Sequence, residues 1–144
     1  MLRITPFRAT DMLLLELKDA QRMEATVFGD PARALEQAGN GFTIWQHGQG
    51  NPRPVFCGGA IERHRDYATC WAAFSVHMSR VPVYVTKRAR QFVRELPHAR
   101  VDAVVQGDLP GGAGWAERIG LAFEARLHAY FPDGQDALVF RRKS

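Results

Sequence analysis

Residues 68–105 read ATCWAAFSVHMSRVPVYVTKRARQFVRELPHARVDAVV. The stretch opens on an apolar run, Ala68 to His77, whose aromatic and β-branched content predicts a strand. Pro82 then offers a first-turn residue whose missing N–H a helix does not need. Behind it Val85, Ala89, Phe92, Val93 and Leu96 recur at the spacing of one core-facing helix stripe, and Pro97 ends the helix. Val101, Ala103 and Val105 alternate with Arg100, Asp102 and Val104, the period of another strand. A strand, a helix and a strand in succession form a right-handed crossover, so these two strands are expected to lie parallel.

The flanks predict different pairing. On the amino side Leu2 to Phe7 reads as a first strand. A helical region follows, capped by Thr10 or Asp11, with Met12, Leu14, Leu15 and Leu17 as its apolar face. It breaks near Lys18-Asp19 and resumes through Met23 and Val27. Asp30-Pro31 opens a short helix to Ala38 that Gly39 ends. From Phe42 to His47 the period becomes two, Phe42 and Ile44 against Thr43 and Trp45. Val55 to Glu62 is a further strand in which Gly58-Gly59 marks a bulge or a close approach. Short connections at Gly48–Pro52 and Arg63–Tyr67 make an antiparallel meander of these runs with Ala68–His77. On the carboxyl side Gly107–Gly112 is a loop and Gly114–Ile119 a helix stopped by Gly120. Phe123–Phe131 and Ala137–Arg141 form a hairpin about Pro132–Gln135. The class expected is α+β with a mixed sheet, in a single domain spanning residues 1–144.

Composition agrees. Of 144 residues, 46% are hydrophobic and 24% charged, which excludes wholesale disorder, collagen-like repeats and coiled coil. No apolar run approaches the roughly 20 residues of a membrane span. Arg3, Arg8 and Asp11 interrupt any signal-peptide core, so a soluble, cytoplasmic domain is expected. The two cysteines, Cys57 and Cys70, lie in apolar strands without metal or redox spacing and read as buried reduced thiols. The formal net charge is +4, and it is localised. From Arg80 to Arg100 six cations (Arg80, Lys87, Arg88, Arg90, Arg94, Arg100) face one anion, Glu95, leaving −1 for the rest of the chain. Such a field wants an anionic partner, although a solvated helix face gives the same pattern.

The junction between His77 and Pro82 is where that partner would sit. A helix start presents unpaired N–H groups and a positive dipole end to phosphate, and Arg80 and Lys87 flank it. The glycine-rich segment Gly107–Gly114 lacks the Gly-Lys-Ser/Thr of a nucleotide loop and reads as a connection. His47, His64, His77, His98 and His128 show no ligand spacing, so no metal is expected. His77, ending a strand beside the proposed anion site, and Glu62 are candidates for proton transfer, each with a plain surface role as the alternative. Cys57 has no base partner in sequence and reads as core; Trp71, Phe74 and Trp115 read as core aromatics.

Several segments carry a resemblance. Arg100–Val105 resembles the fifth strand of the Gcn5-related N-acetyltransferases, and Trp115-Ala116-Glu117-Arg118-Ile119-Gly120-Leu121 resembles their last-helix signature. Phe123–Tyr130 followed by Asp133-Gly134 resembles their closing hairpin. Leu17–Glu24, Gly29–Leu35, Trp71 and Trp115 are similar to segments of acetyltransferase-like proteins encoded among tailed-bacteriophage virion genes. The resemblance implies one splayed parallel strand pair, helices on both faces, acetyl-coenzyme A as donor and an amine as acceptor. It implies that the thioester lies in the wedge between the strands at Phe74–His77 and Val101–Gln106. Phe74, Val76, His77, Met78, Arg80 and Lys87 would hold the coenzyme. The chain also departs from the family. His77–Tyr84 has no glycine where the family's pyrophosphate loop has them, Ala116 replaces the last-helix tyrosine, and Ala68–His77 has no carboxylate base. Two readings therefore stand side by side: an acyl-coenzyme A-dependent N-acyltransferase, and a non-catalytic binding or phage particle-assembly protein, virion-associated and binding phage structural proteins. Nucleic-acid binding through Arg80–Arg100 is a third, opposed by the few aromatics, Tyr84 and Phe92, among those cations. A homo-oligomer is compatible with each.

Overall fold

The computed structural model describes residues 2–15, 32–48, 50–75, 82–107 and 111–143. In chain order the elements are β1 (Leu2–Pro6), α1 (Ala9–Leu14), α2 (Ala32–Gln37), β2 (Phe42–Gln46), β3 (Arg53–His64), β4 (Tyr67–Phe74), α3 (Val83–Glu95), β5 (Arg100–Gln106), α4 (Gly112–Arg118), β6 (Leu121–Leu127) and β7 (Ala137–Arg142). The strands form one sheet in the order β1-β2-β3-β4-β5-β7-β6. It is mostly antiparallel, and β4 and β5 supply the expected parallel pair. Among the described residues no helix is long and apolar enough to cross a membrane.

The chain packs as two compact units, the first comprising Met1–Ala60 and Ala72–Val81. There β1 pairs antiparallel with β2, and β2 with β3. The β2–β3 register shifts at Val55, between the pairs Ile44↔Phe56 and Trp45↔Pro54. Phe56 centres the core, its ring 5.7 Å from Phe42 and 5.3 Å from Phe74. The two-residue alternation of β2 does not survive, because Thr43 is as buried as Ile44. The Asp11 carboxylate covers that position and accepts from Thr43 Oγ1 at 2.8 Å. Asp11 is also not the helix cap the sequence suggested: it stands in the first turn of α1 and accepts the Arg8 backbone N–H at 3.0 Å. In α2, Ala32 and Leu35 are buried. The Asp30-Pro31 helix start and the Leu17–Val27 helical region lie outside the described residues.

The second unit comprises Ile61–Trp71 and Pro82–Ser144. β3 runs on to His64, two residues past its expected end, and turns at Arg65-Asp66 into β4. The parallel register joins Tyr67↔Arg100 through Cys70↔Ala103. β7 then pairs antiparallel with both β5 and β6. The helix stripe buries Val85, Ala89 and Val93 as its period predicts. The β5 alternation holds at Val101, buried, and Val104, exposed, but fails at Asp102 and Gln106, which are buried. Side-chain hydrogen bonds carry Asp102 inward, as the next subsection details. The last helix starts two residues early, at Gly112, and β6 ends at Leu127, because residues 128–136 already turn. There Asp136 accepts from Ala129 N through its side chain and from Gly107 N through its carbonyl. A Cβ on Gly107 would stand 3.0 Å from that carbonyl oxygen, which is the reason for glycine there.

Candidate functional site

The amino end of α3 leaves backbone N–H groups without a side-chain cap. Pro82 precedes it with an extended backbone and no side chain able to cap, and the first turn carries no acid. The N–H groups there add to the positive end of the helix dipole. Val83 and Tyr84 are exposed on the first turn and Lys87 on the second. Six residues were expected to hold a coenzyme. Of these, Lys87 lies exposed on the second turn of α3. Phe74 is buried in the first unit, edge-on to Phe56. Val76, His77, Met78 and Arg80 lie outside the described residues.

Glu62 has a partner that sequence spacing did not indicate. Its Oε1 lies 2.7 Å from Nε2 of His98, an imidazole that is 9% exposed. His98 Nδ1 is buried with no hydrogen-bond partner among the described residues, so the arrangement puts the ring proton on Nε2, donating to the carboxylate. Glu62 stands near the Arg65-Asp66 turn at the amino end of β4, whereas Phe74 closes the carboxyl end of that strand. The Arg142 guanidinium lies beside His98, donating to the carbonyls of His98, Leu96 (2.7 Å) and Val93 (2.8 Å). It thereby satisfies the carbonyl end of α3. Arg90, expected on a solvated face, is engaged too: its Nε donates to the Arg118 carbonyl at 2.7 Å, at the carboxyl end of α4.

A second polar cluster was missed altogether. Asp102 Oδ2 accepts from Tyr67 Oη at 2.7 Å and from Arg100 Nη2 at 3.0 Å, while Oδ1 accepts from Thr69 Oγ1 at 2.9 Å. Arg100 continues to Glu124 Oε1 at 2.7 Å, and Glu124 Oε2 accepts from Arg141 Nε at 2.7 Å. These bonds link β4, β5, β6 and β7 in one chain. The hydrogen bonds from Arg100, then those from Arg141, hold the Glu124 carboxyl below the usual range, and Glu124 in turn raises the Arg100 guanidinium further. The sequence signal was an acid placed between valine and alanine in a strand, two residues after an arginine.

Other candidates resolve simply. Cys57 is fully buried, and desolvation pushes its thiol from 9.0 up to about 12, against nucleophilic use. Cys70, half-buried, is pushed to about 12 by the same cause, and both cysteines are free thiols. Trp115 is core, as expected, with Nε1 donating to Thr86 Oγ1 at 3.0 Å. Ala116 is buried and has no proton to donate. Among the described residues no three side chains gather to hold a metal ion.

No protein-family model matches the sequence, and no curated protein matches it. Solved structures do. Ard1 from Thermoplasma volcanium superposes with a TM-score of 0.74 at 17% identity, over 98% of this chain and 96% of that one. An acetyltransferase of the GNAT family from Bacillus anthracis gives 0.68 at 16% identity, covering 97% and 93%. The NatC complex bound to Gag peptide and CoA gives 0.64 at 10% identity, covering 99% and 98%. At such identities the likeness speaks for architecture, and with the sheet order and parallel pair above it shows that this chain has the fold of the Gcn5-related N-acetyltransferases.

Proposed function

We propose that the chain is an acyl-coenzyme A-dependent N-acyltransferase that moves an acetyl group from the thioester to an amine. One observation carries this reading. In a sheet of acetyltransferase architecture, the crossover from β4 to β5 is a helix whose first turn has no side-chain cap and no acid. Fixed N–H dipoles of that kind bind a diphosphate without reorganising.

Lys87 and Arg80, with the backbone N–H groups at Met78 and the start of α3, hold the phosphates. Phe74, Val76 and His77 line the thioester arm. Strand N–H groups polarise the thioester carbonyl as the amine nitrogen attacks it; the C–S bond breaks and the sulfur leaves as thiolate. With Ala116 at the tyrosine position, no side chain of α4 supplies the thiolate's proton, so water does. His77 takes the amine's proton. The absence of glycine in His77–Tyr84 predicts a weaker phosphate grip than a glycine loop gives.

Calorimetry with acetyl-coenzyme A tests the reading. Saturable binding is expected, weakened at least tenfold in Lys87→Glu and in Arg80→Glu, since each reverses a charge facing phosphate. No heat at millimolar ligand would overturn the proposal. It would favour the second reading, to which Ala116 and the carboxylate-free β4 point: a non-catalytic scaffold used in binding.

A further inference from the structure

We infer that Asp102 is the positioning residue of the acyl-transfer site, an assignment that rests on the acyltransferase reading. The parallel ladder has four pairs, Tyr67↔Arg100 to Cys70↔Ala103, although β4 runs on to Phe74 and β5 to Gln106. The Thr69↔Asp102 pair is the last but one. At that pair the Asp102 carboxylate, with 6% of its side chain exposed, accepts three hydrogen bonds. Two come from β4, from the hydroxyls of Tyr67 and Thr69, so one carboxylate fastens β4 to β5 directly before their ladder ends.

The chemistry is unusual for a device that serves stability alone. Removing an acid from water is costly, and apolar side chains of similar volume usually hold two strands as well or better. What a buried, directional cluster supplies is register: each oxygen has fixed donors, and a slip of one residue would leave an uncompensated charge. Thr69 Oγ1 accepts from Arg63 Nε at 3.2 Å, and the Arg100 guanidinium carbon lies 5.5 Å from the centre of the Tyr67 ring. Glu124 and Arg141 extend the cluster to β6 and β7. Every donor around Asp102 is therefore itself held. In an enzyme that works by placing an amine and a thioester carbonyl rather than by a strong acid and base, strand register at this point sets the rate. A displacement of about 1 Å is enough to lower turnover substantially.

The assignment separates turnover from coenzyme binding. Phosphates are gripped at α3, whereas Asp102 fixes strand register, so its loss lowers kcat and leaves the affinity for coenzyme A unchanged. Four proteins are compared: wild type, Thr69→Val, Thr69→Ser and Asp136→Asn. Each is assayed for coenzyme A affinity by calorimetry, for melting temperature, and for kcat and KM by amine-dependent thiol release from acetyl-coenzyme A. Thr69→Val removes one donor yet leaves the carboxylate with Tyr67 and Arg100, so the protein folds. It is expected to lower kcat about tenfold with the coenzyme A affinity within twofold of wild type, and Thr69→Ser, which keeps the hydroxyl, restores kcat. Asp136→Asn loosens the β6–β7 turn, lowering the melting temperature without lowering kcat. Should Thr69→Val bind and turn over like wild type, or Asp136→Asn lose kcat equally, the role of Asp102 is structural and the assignment falls while the acyltransferase reading stands. If wild type binds no coenzyme A, both fall together.

Discussion

Cys57 and Asp11 show how burial decides what one side chain can do. Desolvation raises the Cys57 thiol to about 12, and the nearby Asp11 charge opposes ionisation as well. In the unfolded chain the thiol ionises near its ordinary 9.0, while the folded one keeps its proton until about 12. The stability associated with this group is therefore complete below pH 9.0 and is lost as the pH rises from there to about 12. Urea midpoints should fall across that window, and at neutral pH iodoacetamide should modify Cys57 only as fast as the protein unfolds. Asp11 ties α1 to the sheet by accepting from Arg8 N and Thr43 Oγ1. Asp11→Ala leaves a buried hydroxyl without that acceptor and should cost about 1–3 kcal/mol by urea denaturation, with Asp11→Asn costing less because one acceptor oxygen remains.

Among the elements, α3 best illustrates the balance between local and distant forces. Its stripe of Val85, Ala89 and Val93 was visible as periodicity, and its beginning at Pro82 as a helix-start signal. Its other end depends on Arg142, 46 residues beyond Leu96 in sequence, whose guanidinium takes up three carbonyls. Arg142→Met keeps the aliphatic length but strips those bonds. It should destabilise the fold by about 2–3 kcal/mol in chemical denaturation, since bonds to a charged donor are the stronger ones. Arg142→Lys should recover only part of this, because an ammonium cannot reproduce the fork of donors.

For the molecule as a whole, acid should be the sensitive direction among the surface ion pairs. Glu124 is lowered by the Arg100 and Arg141 hydrogen bonds, and Asp136 by the Ala129 N–H and then Arg126. A carboxylate lowered in the folded state contributes stability above its unfolded pKa and loses it as the pH falls through the folded value. Melting temperatures should therefore hold from neutral pH down to about 4.5 and then decline. In Arg141→Gln the decline should be shallower, because the Glu124 shift is smaller. Both acids are solvated, so added salt should narrow the difference between the two proteins.

Local chemistry in the chain determined the class of the fold. Proline and glycine punctuation, a change of period from two to 3.6, and one strand–helix–strand passage sufficed for an α+β sheet with a parallel pair. These signals are local because they come from backbone sterics and from one face of one element. Tertiary structure alone decided that β7 lies between β5 and β6, that Asp102 turns inward, and that Glu62 meets His98. Each depends on a partner 33–36 residues away or on a strand contributed by the far end of the chain. A period cannot register a polar side chain buried because distant donors wait for it: hydrogen-bond satisfaction belongs to the assembled sheet, whereas propensity belongs to the segment.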